Sequence, residues 1–130
     1  ARRAARILQE EVFHLEFAEG RVRELAALPG VRDELEGHLK AFLPEMLLWF
    51  GPPGEEGVTA LVDEGLIQGS NEGWRQAYLG RLTPLFLEEG FRILPYPSWD
   101  VARRQYDYGD LPWGAWNKLQ RRLEAASPVR

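Results

Sequence analysis

Residues 1–28, ARRAARILQEEVFHLEFAEGRVRELAAL, decide the predicted fold. The stretch has no proline and a single glycine, so it contains no strong helix breaker. Apolar or small side chains recur every three or four residues along it, at Ala4, Leu8, Val12, Leu15, Ala18, Val22 and Leu25. This spacing predicts one long helix with an apolar face.

A second helix is predicted directly after the first. Pro29-Gly30 ends the first helical pattern, and from about Asp33 apolar residues recur at Leu35, Leu39, Phe42, Met46 and Trp49. Pro44 lies inside this pattern and predicts a kink, and Gly51-Pro52-Pro53-Gly54 ends it. Because the connection between the two helices is short, they are expected to lie antiparallel.

The remainder of the chain predicts shorter helices. Residues 58–68 and 71–90 have helical patterns, whereas two prolines require residues 93–97 to be extended. Ser98 and Asp110 are predicted to cap two final helices, and we find no strand pattern. All five tryptophans lie at or after position 49, so this part is expected to pack on the helix pair.

The chain is therefore expected to be all-α and to have two parts. Residues 1–54 form a long helix hairpin that contributes half of a four-helix bundle. Residues 55–130 form an aromatic-rich helical extension packed on the hairpin.

The composition excludes several classes of protein. Sixteen basic and twenty acidic residues give a formal net charge of −4, which argues against charge-driven binding to nucleic acid or an anionic membrane. The chain lacks cysteine, so it has no disulfide, thiolate metal site or cysteine nucleophile. It has no apolar run of the roughly 18–20 residues that span a membrane, and no signal-peptide pattern. We expect a soluble, cytoplasmic protein with no nucleic-acid or membrane partner.

One pair of residues has the side chains and the spacing of a metal-binding site. Glu11 lies on the apolar face of the first helix, where positions 4, 8, 11, 15 and 18 alternate steps of four and three. A buried carboxylate needs a cation, a metal or a proton, and His14 follows on the same side of the helix. Glu-x-x-His is the pair that di-iron and di-manganese bundles repeat on two helices. Glu11 and His14 are therefore candidate metal ligands, and the alternative is a solvated pair.

The other acidic and imidazole side chains are not expected to bind metal. Glu10, Glu16 and Glu19 are assigned to solvated or ion-paired positions. His38 has no acidic partner at ligand spacing. Glu45 lies among the apolar residues of the second helix and is assigned no ligand role.

Three ordered stretches resemble one known family. Residues 5–14, ARILQEEVFH, resemble the last metal-binding helix of the catalytic subunit of ring-1,2-phenylacetyl-CoA epoxidase, a ferritin-like di-iron oxygenase of phenylacetate catabolism. Residues 43–53, LPEMLLWFGPP, resemble the aromatic-Pro…Met-Phe-Gly-Pro stretch of that family. Residues 99–113, WDVARRQYDYGDLPW, resemble its Trp-Asn…Arg-Gly-His-Tyr-Asp-Phe-Gly…Trp signature.

The resemblance implies a ferritin-like fold and an enzyme that epoxidises the aromatic ring of phenylacetyl-CoA with molecular oxygen. Two irons would be the cofactor, and electrons would come from NADPH through a separate reductase. A related non-catalytic ferritin-like subunit would be a further partner. Glu11 and His14 would be the metal ligands of this chain, and Phe13 and Phe17 would line the aromatic pocket or pack against neighbouring helices.

A site of this kind needs about four carboxylates and two histidines, so the chain holds only part of one. Because the sequence opens on Ala1 within a helical pattern, we expect the other ligands in a preceding segment. Departures from the family at Leu15, Gln105 and Leu111-Pro112 leave open a di-iron oxygenase acting on another aromatic acyl-CoA, such as benzoyl-CoA. A separate alternative is a metal-free structural partner subunit of such a complex, in which Glu11 and His14 pair only with each other or with arginine.

Overall fold

The computed structural model describes residues 2–93, 97–117, 119–120 and 122–123. Its helices are α1 (Arg2–Ala26), α2 (Pro29–Leu48), α3 (Glu56–Asp63) and α4 (Asn71–Glu88). Short strands follow, namely β1 (Ser98–Asp100), β2 (Gln105–Asp107), β3 (Trp116–Asn117) and β4 (Arg122–Leu123). The described chain is mostly helical, which confirms the predicted class at that level. The extended segment predicted for residues 93–97 lies largely outside the described residues.

The first two helices confirm the predicted helix pair, but their junction differs. Pro29 is the first residue of α2, so the second helix begins before the predicted Asp33. Proline suits this position because the first turn of a helix does not use the missing N–H. Helix α2 continues through Pro44, and the chain turns away at Gly51, whose φ is +84°.

The two shorter predicted helices are also present. Helix α4 confirms the pattern found over residues 71–90. Helix α3 covers only the first part of residues 58–68, because it ends at Asp63, shortly before Gly65 at φ +71°. A glycine in the left-handed region is a common helix terminator.

One apolar cluster joins α1, α2, α4 and the chain that follows α4. Its buried members are Ala26, Leu43, Leu47, Leu48, Leu79, Phe86, Phe91, Ile93 and Leu111. Arg32 reinforces the cluster at its edge, because its guanidinium lies 4.8 Å from the Phe91 ring centre. The same group donates to the carbonyls of Ala26 and Glu89, so the ends of α1 and α4 are held together.

The helix predicted after Ser98 is wrong. Strands β1 and β2 form an antiparallel hairpin in which Trp99 pairs with Tyr106, edge to face, with 5.0 Å between ring centres. The Asp100 carboxylate accepts a hydrogen bond from the backbone N–H of Arg103 at 3.0 Å, which closes the turn. Aromatic pairs across two strands stabilise a hairpin, and here they prevail over the helix-capping signal.

The helix predicted after Asp110 is also wrong within the described residues. A 3₁₀ turn at Trp113–Ala115 follows Asp110 instead. Strand β3 then pairs antiparallel with β4, with Trp116 opposite Leu123.

Ser70 caps the N-terminus of α4. Its hydroxyl accepts a hydrogen bond from the Gly73 N–H at 3.0 Å. Ser70→Ala should lower the free energy of unfolding by about 1 kcal/mol, because that N–H loses its acceptor. Urea-induced unfolding followed by circular dichroism measures the change. Ser98→Ala is the matched control: Ser98 is exposed in β1, so the loss should stay below about 0.5 kcal/mol, and equal losses would contradict the cap.

Candidate metal centre

Glu11 and His14 lie on neighbouring turns of α1 and face each other. Glu11 Oε1 is 3.8 Å from His14 Nδ1. This separation is longer than a hydrogen bond, so the two side chains are not locked together and both can turn toward a shared ligand. One carboxylate and one imidazole at this spacing fit the share of a di-metal site that a single helix supplies.

The pair is exposed, contrary to the expected burial of Glu11. The Glu11 side chain is 68% exposed and the His14 side chain is 74% exposed. From residue 3 to residue 18, every side chain that the structure describes is exposed. Several of these side chains are large and apolar, namely Ile7, Val12, Phe13, Leu15 and Phe17. The periodicity correctly predicted a helix, but burial requires a second surface, and none of the described elements covers this part of α1.

The described residues hold only a partial ligand set around this pair. Within them, no group of three or more His, Cys, Asp or Glu side chains gathers in a metal-binding arrangement. Glu11 and His14 fit a di-iron centre as donors, but they do not complete one.

The neighbouring charged residues have other partners. Glu10 pairs with Arg6 at 3.2 Å, and Glu19 pairs with Arg81 at 2.8 Å, which matches their assignment as ion-paired surface carboxylates. His38 stacks on Phe42 along α2, with 6.3 Å between the ring centres. These residues are therefore poor candidates for additional ligands.

A buried ionic centre that the sequence analysis missed lies on α4. Arg75 has no exposed surface. Its guanidinium donates from Nε to the Leu47 carbonyl at 3.1 Å, and from Nη2 to the Gly51 carbonyl. It also donates from Nη1 to the carboxylate of Glu72. Arg75 therefore ties α4 to the C-terminal end of α2.

Aromatic rings surround the Arg75 guanidinium. The ring centres of Phe50, Tyr108 and Trp113 lie 6.0, 5.5 and 5.5 Å from its central carbon. The Tyr108 hydroxyl donates to Glu72 at 2.8 Å, and burial together with this bond raises the pKa of that hydroxyl. This arrangement holds the residues after β2 against α4.

A signal for this centre exists in the sequence, but it is weak. Glu72 and Arg75 are three residues apart, just after the Ser70 cap. Pairs at this spacing are common on exposed helix faces, so the spacing alone does not indicate burial.

The β1–β2 hairpin is clamped to α4 by one glutamine. Gln76 Nε2 donates to the Tyr106 carbonyl at 2.9 Å, and the Tyr106 N–H donates to Gln76 Oε1 at 2.6 Å. An open polar pocket of about 340 Å³ lies beside this clamp, between Glu72 and the hairpin. The stretch of residues 99–113 thus packs on α4 by specific polar contacts.

The chain matches no protein-family model, no curated protein and no solved structure. Within the part of the chain that the structure describes, no helix is both long and apolar enough to cross a membrane.

Proposed function

We propose that this chain is the C-terminal part of a cytoplasmic, ferritin-like di-iron oxygenase subunit that epoxidises the aromatic ring of phenylacetyl-CoA in phenylacetate catabolism. The observation that carries the proposal is the Glu11–His14 pair, whose oxygen and nitrogen atoms lie 3.8 Å apart on an exposed helix face. The resemblance of three ordered stretches to the epoxidase family supports the choice of reaction.

The apolar side chains around the pair support completion of the site from outside these residues. Val12 and Leu15 flank Glu11 and His14 on α1 and are exposed. Further helices packed on this face would bury the apolar side chains and remove water from the Glu11 carboxylate. A buried carboxylate requires a compensating cation, which bound metal provides.

In the completed protein, two bound irons would supply reductive activation of molecular oxygen, with electrons from NADPH through a separate reductase. Glu11 would hold metal through its carboxylate oxygens, and His14 through one ring nitrogen. The second ring nitrogen would then be free to donate to an acceptor in the completed protein, which would fix the imidazole orientation. The apolar neighbours exclude water from the site once they are covered.

Iron analysis tests the proposal. Because the ligand set is partial, the 130-residue chain alone should bind iron weakly or not at all. The completed protein, in which further helices supply the missing ligands, should bind two irons per chain. Two tightly bound irons in the isolated chain, or none in the completed protein, would rule the proposal out.

One observation favours a second candidate, a metal-free structural partner subunit of such a complex. At 3.8 Å, Glu11 and a protonated His14 would form an ion pair without a metal, although the distance is too long for a hydrogen bond. In that case the completed protein assembles with a catalytic subunit but holds no iron.

For an iron-bound protein, turnover with phenylacetyl-CoA and benzoyl-CoA distinguishes the epoxidase from an oxygenase for another aromatic acyl-CoA.

A further inference from the structure

An open groove of about 910 Å³ lies between α3, the connection that follows it and the first turn of α4. We call it the α3–α4 groove. Four large apolar side chains of its walls are exposed to solvent, at fractions between 37% and 66%, namely Leu61, Leu66, Ile67 and Trp74. Apolar residues that are exposed together in one patch, and not scattered singly, are typical of a surface that binds another molecule.

The walls of the groove are held in place by hydrogen bonds within the chain. The N–H groups of Leu66 and Ile67 donate to the Leu61 carbonyl at 2.9 and 3.3 Å, which folds the connection back onto the end of α3. The Asn71 amide donates to the Pro52 carbonyl at 3.0 Å and so ties the start of α4 to the chain before α3. A surface that is already ordered binds a partner at a lower entropic cost.

Trp74 is the largest side chain in the groove, and its position depends on a glycine. A β-carbon on residue 69 would lie 2.7 Å from Trp74 Nε1, so glycine is needed there to leave room for the indole. Trp74 is nevertheless 53% exposed, so much of the ring is available to a partner. Tryptophan is among the residue types that contribute most to the binding energy of protein interfaces.

The groove lies in an acidic part of the chain. Residues 41–74 contain six acidic side chains and no basic one. Three of the carboxylates, those of Glu56, Asp63 and Glu64, are exposed at the two ends of α3. Glu64 follows Leu61 by three residues, so it lies on the side of α3 that faces the groove. The groove is therefore apolar along its walls and negatively charged at its ends.

The three exposed carboxylates remain available for a partner. Among the residues that the structure describes, no basic side chain forms an ion pair with any of them. Their charge disfavours nucleic acid and anionic membranes as occupants of the groove, and it favours a molecule that carries lysine or arginine.

We propose that the α3–α4 groove binds a basic amphipathic helix of a partner protein. Apolar side chains on one face of that helix would cover Leu61, Leu66 and Trp74, and basic side chains beside them would face the carboxylates of α3. A helix suits the groove because it satisfies its own backbone groups, whereas an extended peptide needs a strand edge. None of the described wall residues belongs to a strand.

A labelled model peptide tests the proposal. The probe has about fourteen residues, with leucine at every third or fourth position and lysine elsewhere, so that a helix has one apolar and one basic face. A matched peptide has glutamate in place of every lysine. Fluorescence anisotropy at low salt should show saturable binding of the lysine peptide to the 130-residue chain and to the completed protein. The glutamate peptide should bind at least about tenfold more weakly.

Leu66→Lys should weaken binding of the lysine peptide at least about tenfold, because it places a positive charge in the groove. Leu66 is 66% exposed, so the substitution is tolerated by the fold. Leu87→Lys is the matched control, because Leu87 is 72% exposed on α4 and lies outside the groove. It should leave the affinity within about twofold of the original.

Asp63→Asn/Glu64→Gln should weaken binding of the lysine peptide at least about threefold at low salt, because two attractive charges are removed. Added salt should reduce this difference, since it screens exposed charges. Asp33→Asn/Glu34→Gln is the matched control, because it removes the same two charges from an exposed Asp-Glu pair on α2. It should change the affinity by less than about twofold.

Four results would overturn the proposal. The first is a lysine peptide that does not bind, or that binds no more tightly than the glutamate peptide. The second is an equal effect of a groove variant and its matched control, which would place the peptide elsewhere on the chain. The third is self-association of the chain that Leu66→Lys alone abolishes, because a second copy would then occupy the groove. The fourth is binding by the 130-residue chain but not by the completed protein, because the polypeptide itself would then cover the groove.

This proposal is independent of the Glu11–His14 pair. Peptide binding needs no metal, and none of the four results measures iron content or turnover. Failure of the peptide experiment is therefore distinguishable from failure of the proposed function.

Discussion

Arg75→Met should lower the free energy of unfolding by about 3–5 kcal/mol, the largest loss expected from a single side chain here. Arg75 is fully buried and donates to Glu72 and to the carbonyls of Leu47 and Gly51. Methionine fills a similar volume but removes the donor to the Leu47 and Gly51 carbonyls and the cation that faces the Glu72 carboxylate. A small domain is stabilised by only about 5–15 kcal/mol, so a large share of the stability should be lost. Urea unfolding with linear extrapolation measures it.

Two further variants test whether the loss of stability in Arg75→Met comes from the burial of the Arg75 charge. Arg81→Met removes the ion pair with Glu19, but the Arg81 side chain is 50% exposed, so the loss should stay below about 1 kcal/mol. Glu72→Gln added to Arg75→Met should recover part of the loss, because it removes a partly buried negative charge that has lost its cation, while an amide oxygen can still accept from Tyr108. If Arg75→Met costs no more than Arg81→Met, the hydrogen bonds from Arg75 to the Leu47 and Gly51 carbonyls do not hold α2 and α4 together.

The helices were predictable because their information is local. Residues 1–48 contain a three-to-four-residue apolar period, and α1 and α2 follow it. The exception is the start of α2, where Pro29-Gly30 was interpreted as a terminator although Pro29 occupies the first turn. Proline ends a helix when it would fall in the helix interior, but it is favoured in the first turn of a helix. The local sequence around Pro29 is compatible with both.

The region after α4 was not predictable in the same way, because contacts between distant residues decide it. The β1–β2 hairpin depends on Trp99 meeting Tyr106, and its position depends on Gln76 of α4. Ser98 is a plausible helix cap when only its neighbours are considered. The tertiary contacts select the strand.

The candidate site was predictable in part: the spacing within one helix could be predicted, but the burial of its side chains could not. The Glu-x-x-His spacing correctly placed Glu11 and His14 beside each other, because helix geometry alone brings them together. Their burial was not predictable, because it depends on which surfaces cover α1. The burial of Arg75 was not predictable for the same reason, because Glu72 and Arg75 have the i, i+3 spacing that is also common for pairs on an exposed helix face.

Under the proposed function, Glu11→Ala and His14→Ala should each reduce the iron content of the completed protein and lower its oxygenase turnover at least about a hundredfold. The reason is that each removes a donor atom from a site with few ligands. In the metal-free 130-residue chain, the same changes should alter the free energy of unfolding by less than about 0.5 kcal/mol, because both side chains are exposed. Iron analysis, turnover assays and urea unfolding together separate loss of a ligand from loss of the fold.

The matched controls are Glu10→Ala and His38→Ala. Glu10 is the neighbouring carboxylate on α1 and pairs with Arg6, and His38 is the second imidazole of the chain, exposed on α2. Neither should change iron content, because neither side chain belongs to the Glu11–His14 pair. If Glu10→Ala lowers iron content as much as Glu11→Ala, a general loss of negative charge on α1 explains the effect. If the Glu11→Ala/His14→Ala double variant keeps its iron and its turnover, the ligand assignment is wrong.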